Sequence, residues 1–274
     1  MALGAFTKQK VTRIVGIVLV RNEDRFVRQA VENTLGFCDE MLLVDNGSTD
    51  STLPILESIA ASSEKASLHQ VSHPRESHEL LKKFAGTRTW VFGVDGDEIY
   101  DPAGLVKFRG MVLDGTFDSD WMVLGNVLHC EIIKNGIARG YLSPPSRSIV
   151  KFYNFAAIDA WDGDTPERLH GGAPVFRRGF SEEAKRRLEK EFSWEDSPLR
   201  CLHTCFMKRS SSDSGIDSRE NIMETYRGGM TNWIRRVVRK LAGHPEYSKW
   251  KRERYARGTL VSVDARPFFK NGPC

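Results

Sequence analysis

Two aspartates flank a glycine directly after a run of large apolar residues in WVFGVDGDE, residues 90–98. The apolar run predicts a buried strand that delivers carboxylates to the edge of a sheet. Extended residues two apart project to one side, so Asp95 and Asp97 can face a common ligand, and Gly96 lets that ligand approach the backbone. Paired carboxylates suit hard cations such as Mg²⁺ or Mn²⁺, which in turn suit diphosphates. The motif therefore predicts a metal and phosphate site, although a plain acidic turn has the same composition.

A calcium loop of the EF-hand type is excluded by residue spacing. Such a loop needs Gly at its sixth position and Glu at its twelfth, but counting from Asp95 these positions hold Tyr100 and Val106. The choice between a cation site and a plain turn therefore depends on the surrounding elements.

Strand and helix patterns alternate through the first hundred residues. Strands are predicted at 14–20, 41–45, 66–71 and 90–95, and helices at 25–35, after the NGSTD turn with Pro54 in the first helical turn, and at 77–86. Strands separated by helices imply an α/β fold with a parallel sheet. Ligands of such sheets gather beyond the carboxyl ends of the strands, where segments 21–23, 45–48 and 95–98 would lie.

The second half of the chain has a different pattern. Residues 121–133, a turn at Asn135 and Gly136, and residues 148–155 predict antiparallel strands that extend the first sheet. Residues 206–220 are rich in serine and predict a mobile loop.

Bulk composition excludes several classes of protein. With 274 residues and 40% hydrophobic content, the chain can bury a full core, and no apolar run approaches the roughly 18 residues of a membrane span. Its start lacks a signal-peptide pattern, and five scattered cysteines fit reduced thiols, so a soluble, cytoplasmic protein is expected. A net charge of only +4 argues against a nucleic-acid partner.

Three segments, VLVRNEDRFVRQAVENTL, MLLVDNGSTDST and WVFGVDGDE, occur in an order and spacing that resemble family-two glycosyltransferases with the GT-A fold. The likeness spans roughly residues 12–210. It implies a mostly parallel central sheet flanked by helices, with a smaller antiparallel acceptor-side portion. The catalytic domain would cover 1–225, with a donor-binding half to about 100 and an acceptor half from about 101, followed by a basic, partly helical extension over 226–274.

The resemblance implies a nucleotide-sugar donor held near the ends of the first and second strands. The residues at these positions are Val20, Asn22, Glu23, Asp45 and Asn46. Many relatives carry two aspartates before the GST element, whereas here asparagine follows Asp45. Locally, NGSTD also reads as a turn with a helix cap, and RNED as a helix entrance whose acids favour the helix dipole.

The resemblance further implies a bound Mn²⁺ or Mg²⁺. Asp95 would bind ribose or the metal, Asp97 would bind the metal directly, and the late histidine of LRCLHTCFMKRS, His203, would be a third ligand. Two alternatives stay open for His203: a zinc site with Cys201 and Cys205, which would share its strand face, or a buried, hydrogen-bonded histidine.

Basic and acidic residues later in the chain supply candidates for the remaining roles. Lys208 and Arg209 could close over the diphosphate as a lid, or form a solvated basic loop. An attacking hydroxyl must lose a proton, and we assign this base to Glu167, then to Asp164, within IDAWDGDTPERLHGG. Relatives often place histidine before this acid, where this chain has Pro166, so a structural loop is the alternative.

These features predict a metal-dependent glycosyltransferase that moves a sugar to a hydroxyl of a glycan, glycolipid or similar acceptor, with inversion by direct displacement. A sugar-phosphate nucleotidyltransferase is the first alternative, although a Gly-rich loop is missing after the first strand. A non-catalytic carbohydrate- or membrane-binding module is the second. The segment NWIRRVVRKLAG predicts an amphipathic basic helix that either lies on the inner face of a membrane or packs on the catalytic domain.

Overall fold

The computed structural model describes residues 12–143, 151–213, 253 and 255–269. Its helices are α1 (Val27–Leu35), α2 (Thr52–Ser62), α3 (Glu76–Lys82) and α4 (Pro102–Leu113), with short 3₁₀ helices at Phe155–Ala157, Leu188–Lys190 and Arg266–Phe268. Its strands are β1 (Arg13–Val20), β2 (Glu40–Asp45), β3 (Ala66–Gln70), β4 (Thr89–Val94), β5 (Glu98–Tyr100), β6 (Met122–Leu124), β7 (Asn126–Lys134), β8 (Ile137–Ser143), β9 (Lys151–Asn154), β10 (Ile158–Asp162), β11 (Ala173–Phe176), β12 (Lys185–Arg187), β13 (Arg200–His203) and β14 (Thr259–Asp264).

A seven-stranded sheet in the order β12-β6-β9-β4-β1-β2-β3 forms the centre of the fold. Strands β1 to β4 run parallel to one another, and β9 joins antiparallel to β4. Alternate β1 residues face opposite layers: Ile14 and Val18 pack in the core cluster that contains α1, α2 and α4 residues, and Val15 and Ile17 in the cluster that contains Leu81 of α3. The predicted α/β fold with a mostly parallel central sheet flanked by helices is confirmed.

A second sheet of five strands, in the order β14-β8-β7-β13-β5, is mostly antiparallel. The prediction that residues 121–133 form one strand and extend the first sheet is therefore wrong in part. Residue 125 divides this segment, so that β6 stays in the central sheet and β7 enters the second. The break depends on glycine, because a Cβ at Gly125 would lie 2.7 Å from Leu199 Cγ and closer still to the Leu199 carbonyl oxygen. Of the predicted strand 148–155, the described part forms β9 and does extend the central sheet.

Two predicted helix ends differ from the structure. Helix α1 begins at residue 27 rather than 25, and α3 ends at residue 82 rather than at the predicted 86. A tight turn occupies the interval after α3, and Gly86, with φ of +74°, ends that turn rather than the helix.

The C-terminal segment contributes an outer strand to the second sheet. Strand β14 pairs antiparallel with β8 along its whole length, from Thr259 opposite Leu142 to Asp264 opposite Ile137. The predicted amphipathic helix, residues 232–243, lies outside the described residues, and the proposed domain boundaries stay predictions. Among the helices that the structure describes, none has the length and apolar character needed to cross a bilayer.

Candidate functional site

The carboxyl ends of β1, β2 and β4 meet at one edge of the central sheet. The sheet register aligns Val20 with Asp45, and Val18 with Val94, so the residues that follow each strand emerge side by side. The three predicted polar segments therefore converge, as expected at the carboxyl ends of parallel strands.

Buried acceptor oxygens line this edge at the end of β2. Asp45 is 1% exposed, and its Oδ2 accepts hydrogen bonds from the backbone N–H groups of Gly47 and Ser48, at 3.0 and 3.1 Å. The other carboxylate oxygen, Oδ1, is buried without a hydrogen-bond partner among the described residues, and so is Oδ1 of Asn46. Two adjacent buried acceptors that lack a donor favour a ligand that supplies N–H or O–H groups, because an unmet buried acceptor costs about 1–3 kcal/mol.

Asn22 and Glu23 hold the loop after β1 against the loop after β2. Asn22 has φ of +53°, and its Oδ1 accepts a hydrogen bond from the Thr49 N–H at 2.7 Å. The Glu23 N–H donates to Thr52 Oγ1 at 2.7 Å. The predicted cap of α2 is found only in part: Ser51 at the N-cap makes no capping hydrogen bond with its side chain, and Asp50 Oδ1, one residue earlier, accepts from the Thr52 N–H at 2.9 Å. These contacts connect the two segments that we assigned to donor binding.

Asp95 forms an ion pair with a buried arginine that the sequence pattern did not predict. The Arg168 guanidinium contacts Asp95 Oδ1 and donates to the Leu19 carbonyl at 3.1 Å, and its side chain is only 1% exposed. Burial lowers the pKa of Arg168 to about 10, against the opposing influence of Glu23, so the group remains charged near neutral pH. Asp95 is therefore positioned by a fixed cation.

Asp97 lies deeper than Asp95 and has two cationic or basic neighbours. Arg209 Nη1 donates to Asp97 Oδ2 at 2.6 Å, and His203 Nε2 lies 3.6 Å from the same oxygen. Arg209 also lies 3.5 Å from Glu23 Oε1. Burial disfavours the charge on Arg209, but Asp97 and Glu23 outweigh it and raise its pKa above the usual value. The structure thus brings the predicted residues Glu23, Asp97, His203 and Arg209 together.

Gly96 is required for packing within the chain, and its predicted contact with a ligand stays a prediction. A Cβ at this position would lie 2.6 Å from Val20 Cγ1 and would also clash with Glu23 Oε2. Val20 at the end of β1 and Glu23 in the loop after it therefore occupy the space beside Gly96. The glycine lets the β1 and β4 segments pack together at the site.

A second histidine, His129, contacts His203. Parallel pairing of β7 and β13 places the two residues opposite each other, with their Nδ1 atoms 2.9 Å apart. Burial, followed by the neighbouring His203, lowers the pKa of His129 to about 2. Burial also disfavours the charge on His203, but Cys205 and Asp97 outweigh it and raise its pKa well above 6.5. The interpretation of His203 as a buried, hydrogen-bonded histidine is consistent with this pair.

The predicted shared strand face of Cys201, His203 and Cys205 is wrong for Cys205, whereas Cys201 and His203 do lie two residues apart on one strand. Strand β13 ends at residue 203, and Cys201 pairs across to Tyr100 of β5. Cys205 lies beyond the strand end, with its sulfur 3.9 Å from His129 Nδ1.

The basic loop after β13 is hydrogen-bonded to the loops after β1 and β2. The Ser210 hydroxyl donates to Asp50 at 2.5 Å, the Ser211 N–H donates to Asp24 at 2.7 Å, and the Arg25 N–H donates to the Arg209 carbonyl at 3.1 Å. Lys208 is half-buried beside Arg209. These bonds hold the described part of the loop, to residue 213, against the loops after β1 and β2, and its closure over a diphosphate stays a prediction.

The two candidate bases lie in different surroundings. Asp164 has a side chain that is 79% exposed and pairs with Arg75 at 2.7 Å. Glu167 is mostly buried, pairs with His170 Nδ1 at 2.6 Å, and directly precedes Arg168. Glu167 is therefore adjacent in sequence to the arginine that pairs with Asp95, whereas Asp164 lies at the surface.

Comparisons with solved structures return nucleotide-sugar transferases and a nucleotidyltransferase, each over part of the chain. Glucosyl-3-phosphoglycerate synthase from Mycobacterium tuberculosis, in complex with phosphoglyceric acid, is 20% identical over 43% of this chain and 44% of its own, with a TM-score of 0.32. A mannosyltransferase from Pyrobaculum calidifontis, in complex with GDP-Man and Mn²⁺, is 18% identical over 44% of this chain and 36% of its own, with a TM-score of 0.32. 4-Diphosphocytidyl-2C-methyl-D-erythritol synthase from Anaerococcus prevotii is 15% identical over 54% of this chain and 72% of its own, with a TM-score of 0.34.

No family model and no curated protein matches the chain. The alignments span less than half of the two glycosyltransferases, and identities of this size assign neither a substrate nor a reaction. The chemistry of the site must therefore be argued from its own residues.

Proposed function

We propose that this protein is a GT-A glycosyltransferase that transfers a sugar from a nucleoside-diphosphate donor to a hydroxyl acceptor with the help of a divalent cation. The proposal rests on two features at one edge of the central sheet. The first is the pair of buried oxygens on Asp45 and Asn46 that lack a hydrogen-bond donor, and the second is the Asp97–His203 pair. The first group suits a nucleotide base or ribose, and the second suits a cation on its phosphates. In open α/β sheets, nucleotides bind in this way beyond the carboxyl ends of the strands.

The donor's nucleoside would lie at the end of β2. The free oxygens of Asp45 and Asn46 can accept from base N–H groups, and the Val20 backbone passes beside them in register with Asp45. Asp95, held by Arg168, can accept from ribose hydroxyls. Because protein contacts already orient the carboxylates of Asp45 and Asp95, these side chains lose little conformational freedom when the donor binds.

The residues present fit a divalent cation beside Asp97. A carboxylate oxygen and an imidazole nitrogen 3.6 Å apart can direct lone pairs to one point between them, and this oxygen–nitrogen set suits Mn²⁺ better than Ca²⁺. When bound, such a cation would offset negative charge that develops on the departing diphosphate. Arg209, which now neutralises Asp97 and Glu23, would be the second cation near the phosphates, with Lys208 beside it.

The transfer itself requires a base on the acceptor side. The acceptor oxygen would form a bond to the anomeric carbon as the bond from that carbon to the diphosphate oxygen breaks, and the hydroxyl proton would pass to Glu167. Its partial burial and its contact with His170 hold the carboxylate in one orientation. Attack opposite the diphosphate inverts the configuration. Soluble glycans and glycolipids both fit this scheme as acceptors.

A thermal-shift panel tests nucleotide binding and identifies the base. UDP, GDP, dTDP and their sugar derivatives are added with and without Mn²⁺, and we expect one base to raise the melting temperature by about 5 °C or more at a ligand concentration near 100 times Kd. Asp45→Asn should weaken that nucleotide by roughly 10- to 100-fold, because an amide N–H would face the donated N–H of the base. The substitution can keep the acceptor for the Gly47 and Ser48 amides.

Asp114→Asn is the matched control, since Asp114 is exposed at the end of α4. It should leave both melting temperature and nucleotide affinity unchanged. If no nucleotide shifts the unaltered protein, or if Asp45→Asn binds as well as the control, the donor site is misassigned.

A further inference from the structure

Three buried side chains of the types that bind zinc, two histidines and a cysteine, lie together next to Asp97. His129, His203 and Cys205 each offer one donor atom, and these atoms lie within 4.8 Å of one another. All three residues are at most 6% exposed. They come from two paired strands and the segment after β13, so the fold positions them without a contribution from a loop tip.

The distances between these atoms are close to those of a tetrahedral zinc site. Zinc bonds of about 2.0–2.1 Å to nitrogen and 2.3 Å to sulfur place neighbouring ligand atoms roughly 3.3–3.6 Å apart. The observed separations are 2.9 Å between the two Nδ1 atoms and 3.9 Å between His129 Nδ1 and Cys205 Sγ. Shifts of roughly a few tenths of an ångström would bring these two pairs of atoms to the separations of a zinc site, and the remaining pair, His203 and Cys205, lies within 4.8 Å.

Asp97 completes the arrangement that metal-binding histidines usually have. A ligating imidazole commonly donates its other N–H to a carboxylate, which fixes the ring tautomer and orientation. Here His203 directs Nδ1 to His129 and Nε2 to Asp97 Oδ2, 3.6 Å away. The Tyr255 ring lies against the outer side of the pair, with its centroid 4.6 Å from that of His129.

We propose that His129, His203 and Cys205 form a binding site for a thiophilic divalent ion such as Zn²⁺, distinct from the oxygen-rich position beside Asp97. Two imidazole nitrogens and one thiolate select zinc over Mg²⁺ or Mn²⁺, and three protein ligands leave a fourth tetrahedral position for water. Because His203 keeps its Nε2 proton when Nδ1 is bound to metal, the two ions compete for this side chain. The competition between the two ions rests on the proposed function, whereas the proposed zinc site does not.

Cobalt absorption of the full-length chain tests the site without any nucleotide. The chelator-treated, reduced protein is titrated with Co²⁺, and we expect one equivalent to produce visible bands of tetrahedral cobalt with a near-ultraviolet thiolate-to-cobalt band, both bleached by Zn²⁺. Cys205→Ser should abolish the thiolate band, and His129→Gln should weaken cobalt binding by about 100-fold or more, beyond the range typical of changes to residues that only hydrogen-bond a ligand. Cys38→Ala is the control, because Cys38 is equally buried but packs beside Met41 in the core.

Absence of the bands, or their survival in Cys205→Ser or His129→Gln, would overturn the proposal and leave His129 as a hydrogen-bonding neighbour of His203. If a variant does not fold, X-ray absorption of the zinc-loaded unaltered protein decides instead. One sulfur bonded to the zinc supports the site, and zinc bonded only to nitrogen and oxygen contradicts it. Because no donor is present in either experiment, failure here and failure of the transferase function are separate results.

Discussion

Asp97→Asn is expected to lower kcat/KM for sugar transfer by about 100- to 1000-fold, the scale of losing one group that stabilises transition-state charge. The substituted amide would keep the shape of the side chain but lose the negative charge that faces His203 and Arg209. The cation would then bind weakly, and the diphosphate would leave with its developing charge less well compensated. Initial rates at saturating Mn²⁺ measure the effect.

The control is Asp164→Asn, because Asp164 belongs to the second Asp-Gly-Asp segment of the chain. Its carboxylate is exposed and pairs with Arg75, and surface pairs of this kind contribute at most about 1 kcal/mol. Activity should therefore stay within about fivefold of the unaltered enzyme. Equal losses in the two variants, or a larger loss in Asp164→Asn, would mean that the acidic segment at 162–164 is the reactive one.

Arg168→Met is expected to destabilise the folded protein by about 3 kcal/mol. The substitution keeps an apolar stem in a buried position but removes the partner of Asp95 and the donor to the Leu19 carbonyl. Breaking a fully buried pair costs about 3–5 kcal/mol, and the lower end applies because Asp95 retains 30% exposure. Chemical denaturation with a constant m-value measures the change.

Arg75→Met serves as the comparison, since Arg75 contacts the same loop from outside through Asp164 and is 58% exposed. It should cost less than about 1 kcal/mol. A loss below about 1 kcal/mol in Arg168→Met as well would contradict the expectation and show that the buried pair with Asp95 contributes little to stability.

The central sheet could be predicted from the sequence because its signals are local. A continuous apolar run such as residues 14–20 is typical of a strand that is covered on both faces, and the intervening helical periodicity requires parallel neighbours. The convergence of Asp45 and Asp97 at one edge follows from that topology. Helix ends were less accurate, because turn geometry at Gly86 depends on tertiary contacts with residues 155–177.

Residues that depend on long-range packing could not be predicted. Arg168 stands in a polar segment with no periodicity, and only the folded loop shows that it enters the core beside Asp95. His129 lies 74 positions from His203, and the parallel pairing of β7 with β13 that joins them has no local sequence signature. The division at Gly125 was missed for the same reason, since the close neighbour Leu199 is distant in sequence.

Calorimetric titration of the matching nucleoside diphosphate into metal-free protein, with and without Mn²⁺, tests the central claim most directly. We predict that Mn²⁺ tightens nucleotide binding by about 10-fold or more in the unaltered protein, and that this gain disappears in Asp97→Asn, since coupling between the two ligands passes through that carboxylate. Nucleotide affinity that is the same with and without Mn²⁺, or a gain that survives in Asp97→Asn, would contradict a cation site at Asp97.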